Sequence, residues 1–148
     1  MGKLADTLLA PEVRPNLVRE CATLVDEEVG AKSGLSGLAI KAAYKVVKGF
    51  KPGIIQESVD GMIDDMIKNL EPFWEQYEAS GKSQPFADYA SASRGTVADA
   101  LLKVSDDRAA KTRHSALKGA YEKLRPTGKK NVEEAVPRVA RLVARYMK

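Results

Sequence analysis

The sequence holds one cysteine, one histidine and one tryptophan, and aromatic residues make up only 6% of it. With Cys21 alone, no disulfide can close within the chain, which points to a reducing compartment and a core thiol rather than a secreted scaffold. With His114 alone, there is neither a Cys/His zinc set nor the paired Glu-x-x-His of a di-iron bundle. No apolar run reaches the ~18 residues that suggest a membrane span, and the opening MGKLADTLLAPEVRP lacks the apolar centre of a signal peptide. No long segment alternates with period two, so a sheet is not expected. Ser33 to Gly37 is glycine-rich but misses the spacing of a phosphate-binding loop and follows no strand. The expectation is a cytoplasmic protein with no transmembrane segment, no cofactor, no metal and no catalytic constellation.

What remains suits one helical domain. The 148 residues fill a single core spanning 1–148 and are too few for two comfortable domains. Charged residues make up 30% of the chain, with a formal net charge of +4. That balance permits an anionic partner without requiring one. The stretch SGLSGLAIKAAYKVVKGFKP, Ser33 to Pro52, organises the reading: Ser33 or Ser36 caps a helix that Gly49 and Pro52 end. Leu35, Ala39, Ala42, Ala43, Val46 and Phe50 recur at helical spacing and are expected to be buried, with Lys41, Lys45 and Lys48 on a wet face.

The remaining elements follow in order. Lys3 to Leu9 predicts a short helix stopping near Pro11. A longer one follows, with Pro15 in its first turn and Leu17, Cys21, Leu24, Val25 and Val29 inward. Ile55, Val59, Met62, Ile63, Met66, Ile67 and Leu70 give the clearest periodic segment, and Pro72 predicts a kink or fresh start beyond it. Phe86 to Ala92 predicts a short helix, and a further one begins near Thr96. Ser105 to Ser115 reads either as a solvated continuation of that helix or as a loop. The last helix, about Lys130 to Met147, turns Val132, Val136, Val139 and Val143 inward and Arg138, Arg141, Arg145 and Lys148 outward. The predicted fold class is therefore all-α, a compact multi-helix bundle with short connections.

A second stretch, LKGAYEKLRP from Leu117 to Pro126, echoes the first. Lys41, Ala42, Ala43 and Tyr44 align with Lys118, Gly119, Ala120 and Tyr121, and Lys51-Pro52 aligns with Arg125-Pro126. The unit is helix, proline turn, helix, given twice: a helix-turn-helix-like duplication, with close approach expected at the small residues and each tyrosine reaching a polar partner.

Charge supplies the functional expectations. Residues 30–56 hold five lysines and no acid, 57–78 hold seven acids against Lys68, and 108–130 hold eight basic residues against Glu122. If the echoing helices pack side by side, Lys41, Lys45, Lys48, Lys118, Lys129 and Lys130 form a polyanion contact that would bind nucleic acid weakly and without sequence preference. The alternative is a set of solvated helix faces. Phe73, Trp74 and Tyr77 form an aromatic ridge, a candidate interface for a protein partner or homo-oligomer. The leading expectation is a non-enzymatic binding or structural protein. A small-ligand protein or enzyme would instead need a pocket holding His114, or a convergence of Asp60 and Asp64.

The block AKSGLSGLAIKAAYKVVKGFKPG, Ala31 to Gly53, with YEKLRPTGKKNVEEAVP, Tyr121 to Pro137, resembles a small bacterial all-helical family of unknown function. The resemblance covers most of the chain and implies a bacterial cytoplasmic protein. It carries no catalytic or ligand residue onto these positions.

Overall fold

Each half of the chain folds into the same run of short, long, long, long helices. A computed structural model describes residues 2–147, apart from the side chain of residue 36. The first half comprises α1 (Lys3–Leu8), α2 (Arg14–Ala31), α3 (Gly34–Phe50) and α4 (Ile54–Ala79). The second comprises α5 (Phe86–Ala92), α6 (Arg94–Lys111), α7 (Ser115–Leu124) with a 3₁₀ turn at Arg125–Thr127, and α8 (Gly128–Tyr146). None of the described helices is long and apolar enough to cross a membrane.

The helix signals act as physical chemistry dictates. Pro15 sits in the first turn of α2, where its missing N–H is not required. Gly53 turns the chain from α3 into α4 at φ 75°, a left-handed conformation in which a Cβ would be strained. α1 has no cap of its own, and Glu71 on α4 supplies one, accepting the Ala5 backbone N–H at 2.8 Å. Pro72 starts no new helix: α4 runs on through it to Ala79. The lost hydrogen bond lies on an exposed side, while Trp74 and Tyr77 anchor the next turn in the core. The hydrophilic run from Ser105 resolves into helix as far as Lys111 and a short linker after it. Lys148 of the terminal stripe lies outside the described residues.

Packing in the two halves is similar beyond the echo seen in the sequence. α1 packs on α4 as α5 packs on α8, and α2 packs on α4 as α6 packs on α8. α4 also meets α6 and, less extensively, α8 meets α2, with α3 against α7. Helices α2 and α6 each have 18 residues, start at an arginine and end at closely matching backbone angles, Lys32 at φ −70°, ψ 145° and Thr112 at φ −69°, ψ 141°. Leu4, Leu8, Leu17 and Val136 are fully buried, and Ile63, Ile67, Leu70, Val97, Leu101, Ala140 and Val143 complete the shared core.

Candidate binding face

The central helix does not bury the face that its periodicity predicts. On α3, Leu35 is 87% exposed, Leu38 64%, Val46 54% and Phe50 37%, and Ala39 and Ala42 are exposed with them. Of the predicted inward set only Ala43 is buried; it is joined by Ile40, with Tyr44 and Val47 partly covered. The reason lies in the composition of α3: Leu35, Ala39, Ala42 and Val46 form one apolar stripe, and Ile40, Ala43 and Val47 form a second beside it. α7, α2 and α4 pack on α3, and of the two stripes the second is the covered one.

α3 and α7 meet at their small residues, Ala43 and Ala120 being buried. Alongside that contact runs a groove of about 730 Å³, with Ala39, Ala42 and Val46 on one wall and Ala116, Gly119 and Lys123 on the other. Two phenols flank the pair. Tyr44 donates to Asp26 on α2, and Lys48 reaches the same carboxylate at 3.4 Å. Tyr121 donates to Asp106 on α6 and lies 2.8 Å from the Ser105 hydroxyl, and Arg125 grips Asp106 at 2.8 and 3.1 Å. Burial and the aspartate push both phenols up, Tyr121 to about 12. The Arg125 guanidinium holds the Asp106 carboxyl below the usual carboxylate range.

The predicted lysines separate into two groups. Lys41, Lys45 and Lys48 lie on α3 and Lys118 on its neighbour α7, so the packing brings these four onto adjacent helices. Lys129 and Lys130 start α8 instead, and Lys129 turns to Asp99 on α6 at 3.2 Å. Among the described residues, Lys41, Lys45, Lys118 and Lys130 are exposed with no carboxylate within 4.0 Å.

The aromatic ridge is not an exposed surface. Trp74 and Tyr77 are 4% and 7% exposed, and Phe73 is partly buried. Trp74 meets Phe86 edge-on at 4.8 Å between ring centroids, and Tyr77 lies 5.1 Å from Phe86 and 5.3 Å from Tyr89. α5 supplies Phe86 and Tyr89 and so covers the ridge, and the Tyr77 hydroxyl is taken up by the Gln84 carbonyl at 2.6 Å. This corrects the expectation of an exposed interface at Phe73, Trp74 and Tyr77.

Of the remaining chemical candidates, His114 lines an open cleft of about 800 Å³ beside α4 and α6. Asp60 and Asp64 both reach Arg14, across from α4 to α2. Burial raises the Cys21 thiol to about 11, so little of it is the nucleophilic thiolate. Among the described residues no three His, Cys, Asp or Glu side chains gather as a metal site. The exposed residues that sequence reasoning missed are Leu35, Leu38 and Val46. The usable signal was the excess of apolar residues on α3, enough for two stripes when one suffices to anchor a helix.

The described residues form an all-helical bundle with an open apolar groove between α3 and α7. The chain belongs to the family of unknown function DUF6918, whose pattern it matches over residues 4–147. No curated protein and no solved structure matches it.

Proposed function

We propose that the chain is a non-enzymatic binding protein whose contact surface is the α3–α7 groove and whose partner presents an amphipathic helix with acidic flanks. Three large apolar side chains, Leu35, Leu38 and Val46, stand more than half exposed on the helix that carries Lys41, Lys45 and Lys48. Exposed apolar surface of this kind, rimmed by charge, marks interaction sites. The floor of small residues makes the surface concave, which suits a helix lying in a groove better than a flat bilayer. Charge selects the partner. α3 has no acid and α7 only Glu122, so a second copy docking across a two-fold axis would set lysines against lysines. The lone, partly buried thiol and the family resemblance support a bacterial cytoplasmic setting.

The test is fluorescence anisotropy with two amphipathic helical peptides of equal apolar content, one flanked by glutamates and one by lysines. The glutamate peptide is expected to bind and to lose binding in Ala42→Glu and Val46→Glu variants. Equal binding of both peptides, or indifference to the two substitutions, would overturn the reading.

The nearness of Lys41, Lys45 and Lys118 supports a second reading, weak attraction of nucleic acid through its phosphates. A labelled duplex should then bind at low salt and lose affinity as salt rises, and a triple Lys41, Lys45 and Lys48→Glu variant should not bind. Binding that survives in the triple variant would remove α3 as the contact.

A further inference from the structure

The two halves differ in ion pairing at one pair of equivalent seams. Where α8 meets α2, ion pairs cross the seam beside a second cleft of about 670 Å³: Lys32 lies 3.9 Å from Glu28 and 3.1 Å from Glu134, and Arg138 lies 3.2 Å from Glu28. Where α4 meets α6, the equivalent region is an open cleft of about 800 Å³. Six lysines and arginines line it against three carboxylates. Two of those carboxylates are committed, Glu57 to Lys51 at 2.8 Å and Asp107 to Lys103 at 3.6 Å. Asp65 therefore stands alone against Lys68, Arg108, Lys111 and Arg113, none of which has a carboxylate within 4.0 Å among the described residues.

Local structure directs this charge. The Arg108 guanidinium lies on Gly61 of α4, where any Cβ would collide with it. Only glycine leaves that position open, at the cost of helix propensity in the middle of α4. Lys111 ends α6 and Arg113 lies in the linker into α7, whose ten residues begin here with no side-chain cap on their first amides. Uncapped helical amides add a positive end to the same cleft. An apolar wall stands beside it: Phe50, Ile54 and Leu117, with the His114 ring 4.7 Å from Phe50.

We propose that this cleft binds a small organic phosphate, its phosphate held by Arg108, Lys111, Arg113 and the first amides of α7, and its non-ionic part set against Phe50, Ile54 and Leu117. The anion supplies the negative charge that Glu28 and Glu134 provide inside the equivalent seam. A phosphate is favoured over a carboxylate because guanidinium forks and helix amides together match a multiply charged group with several acceptor oxygens.

The experiment is an amide-resolved NMR titration of the whole chain with adenosine diphosphate and, separately, with inorganic pyrophosphate. The nucleotide is expected to give saturable shifts confined to residues lining the cleft, and to bind about tenfold more tightly than pyrophosphate because only it can use the apolar wall. Arg108→Glu should weaken nucleotide binding at least ~tenfold. Gly61→Ala, which displaces the guanidinium without changing charge, should weaken it while the fold is retained. Arg141→Glu on exposed α8 makes the same charge change elsewhere and should bind as the native chain does. The proposal is overturned if neither anion gives saturable shifts, if Arg141→Glu weakens binding as much as Arg108→Glu, or if Gly61→Ala leaves affinity unchanged. Equal affinity for the two anions would overturn the organic part of the assignment.

Discussion

Tyr44 and Tyr121 occupy the same place in two different helices: each donates its hydroxyl to an aspartate on the helix before its own, and each shares that aspartate with a basic residue one turn further on. Tyr121 has the fuller set of partners, because Ser105 adds a third polar contact. Replacing Tyr121 by Phe leaves a partly buried acceptor on Asp106, which costs about 1 kcal/mol, whereas Tyr44→Phe leaves an exposed Asp26 that water can satisfy. Urea denaturation should show Tyr121→Phe to be the more costly change. In an alkaline absorbance titration Tyr121 should ionise near 12 instead of the ordinary 10. Its folded value is raised, so its contribution to stability is complete below pH 10 and is lost as pH rises through the folded value.

Asp106 gives the complementary acid prediction. Its folded value is depressed below the ordinary 3.8, chiefly by the Arg125 hydrogen bonds. The stability it adds is present above 3.8 and disappears as pH falls through the folded value. Asp106→Asn should therefore melt at a lower temperature than the native chain at neutral pH, and the gap should narrow as the solution is acidified below that value. A gap that stays constant on acidification would show that the carboxylate is not the source.

Trp74 tests the correction to the aromatic ridge. A core position predicts that Trp74→Ala costs about 3–5 kcal/mol, the usual penalty for deleting a large buried aromatic side chain. An interface position predicts altered association with little loss of stability. Denaturation and light scattering on one sample separate the two, and the loss is expected in the first.

Gly61 predicts a gain. In mid-helix, Gly→Ala is worth up to about 1 kcal/mol, and the only neighbour displaced is the far end of the Arg108 side chain. Gly61→Ala should raise the urea midpoint. A lowered midpoint would mean that Arg108 cannot move.

Leu38 separates surface from core. With 64% of it exposed, Leu38→Glu should change stability by no more than about 0.5 kcal/mol, whereas Leu8→Ala, fully buried, should cost ~2–5 kcal/mol. Equal losses would mean that α3 packs its Leu35–Val46 stripe inward in solution.

Most of the fold was legible because its signals are local. Pro15, the proline turns and the period of Ile63, Ile67 and Leu70 each act within a few residues, and the tyrosine echo pointed to the likeness of the two halves. The match between α2 and α6 was not legible, since Leu17 and Cys21 share little chemistry with Val97 and Leu101 beyond being apolar. Nor was the open face of α3. Periodicity shows that a stripe exists, but only the neighbours α2, α4 and α7 decide which of two adjacent stripes is covered. The cationic cleft was hidden for a similar reason, because Arg108 and Gly61 are joined only by the packing of α6 on α4.

The paired seams have a consequence for ancestry. Two similar four-helix units packed together are the form a homodimer takes once a peptide link has joined its subunits. Cleavage between Gly81 and Gln84, in the exposed link between α4 and α5, should accordingly leave two fragments that find each other again through α3 and α7. Fusion would also have freed the copies to diverge, so that one seam carries ion pairs across it while the other holds cations without carboxylate partners.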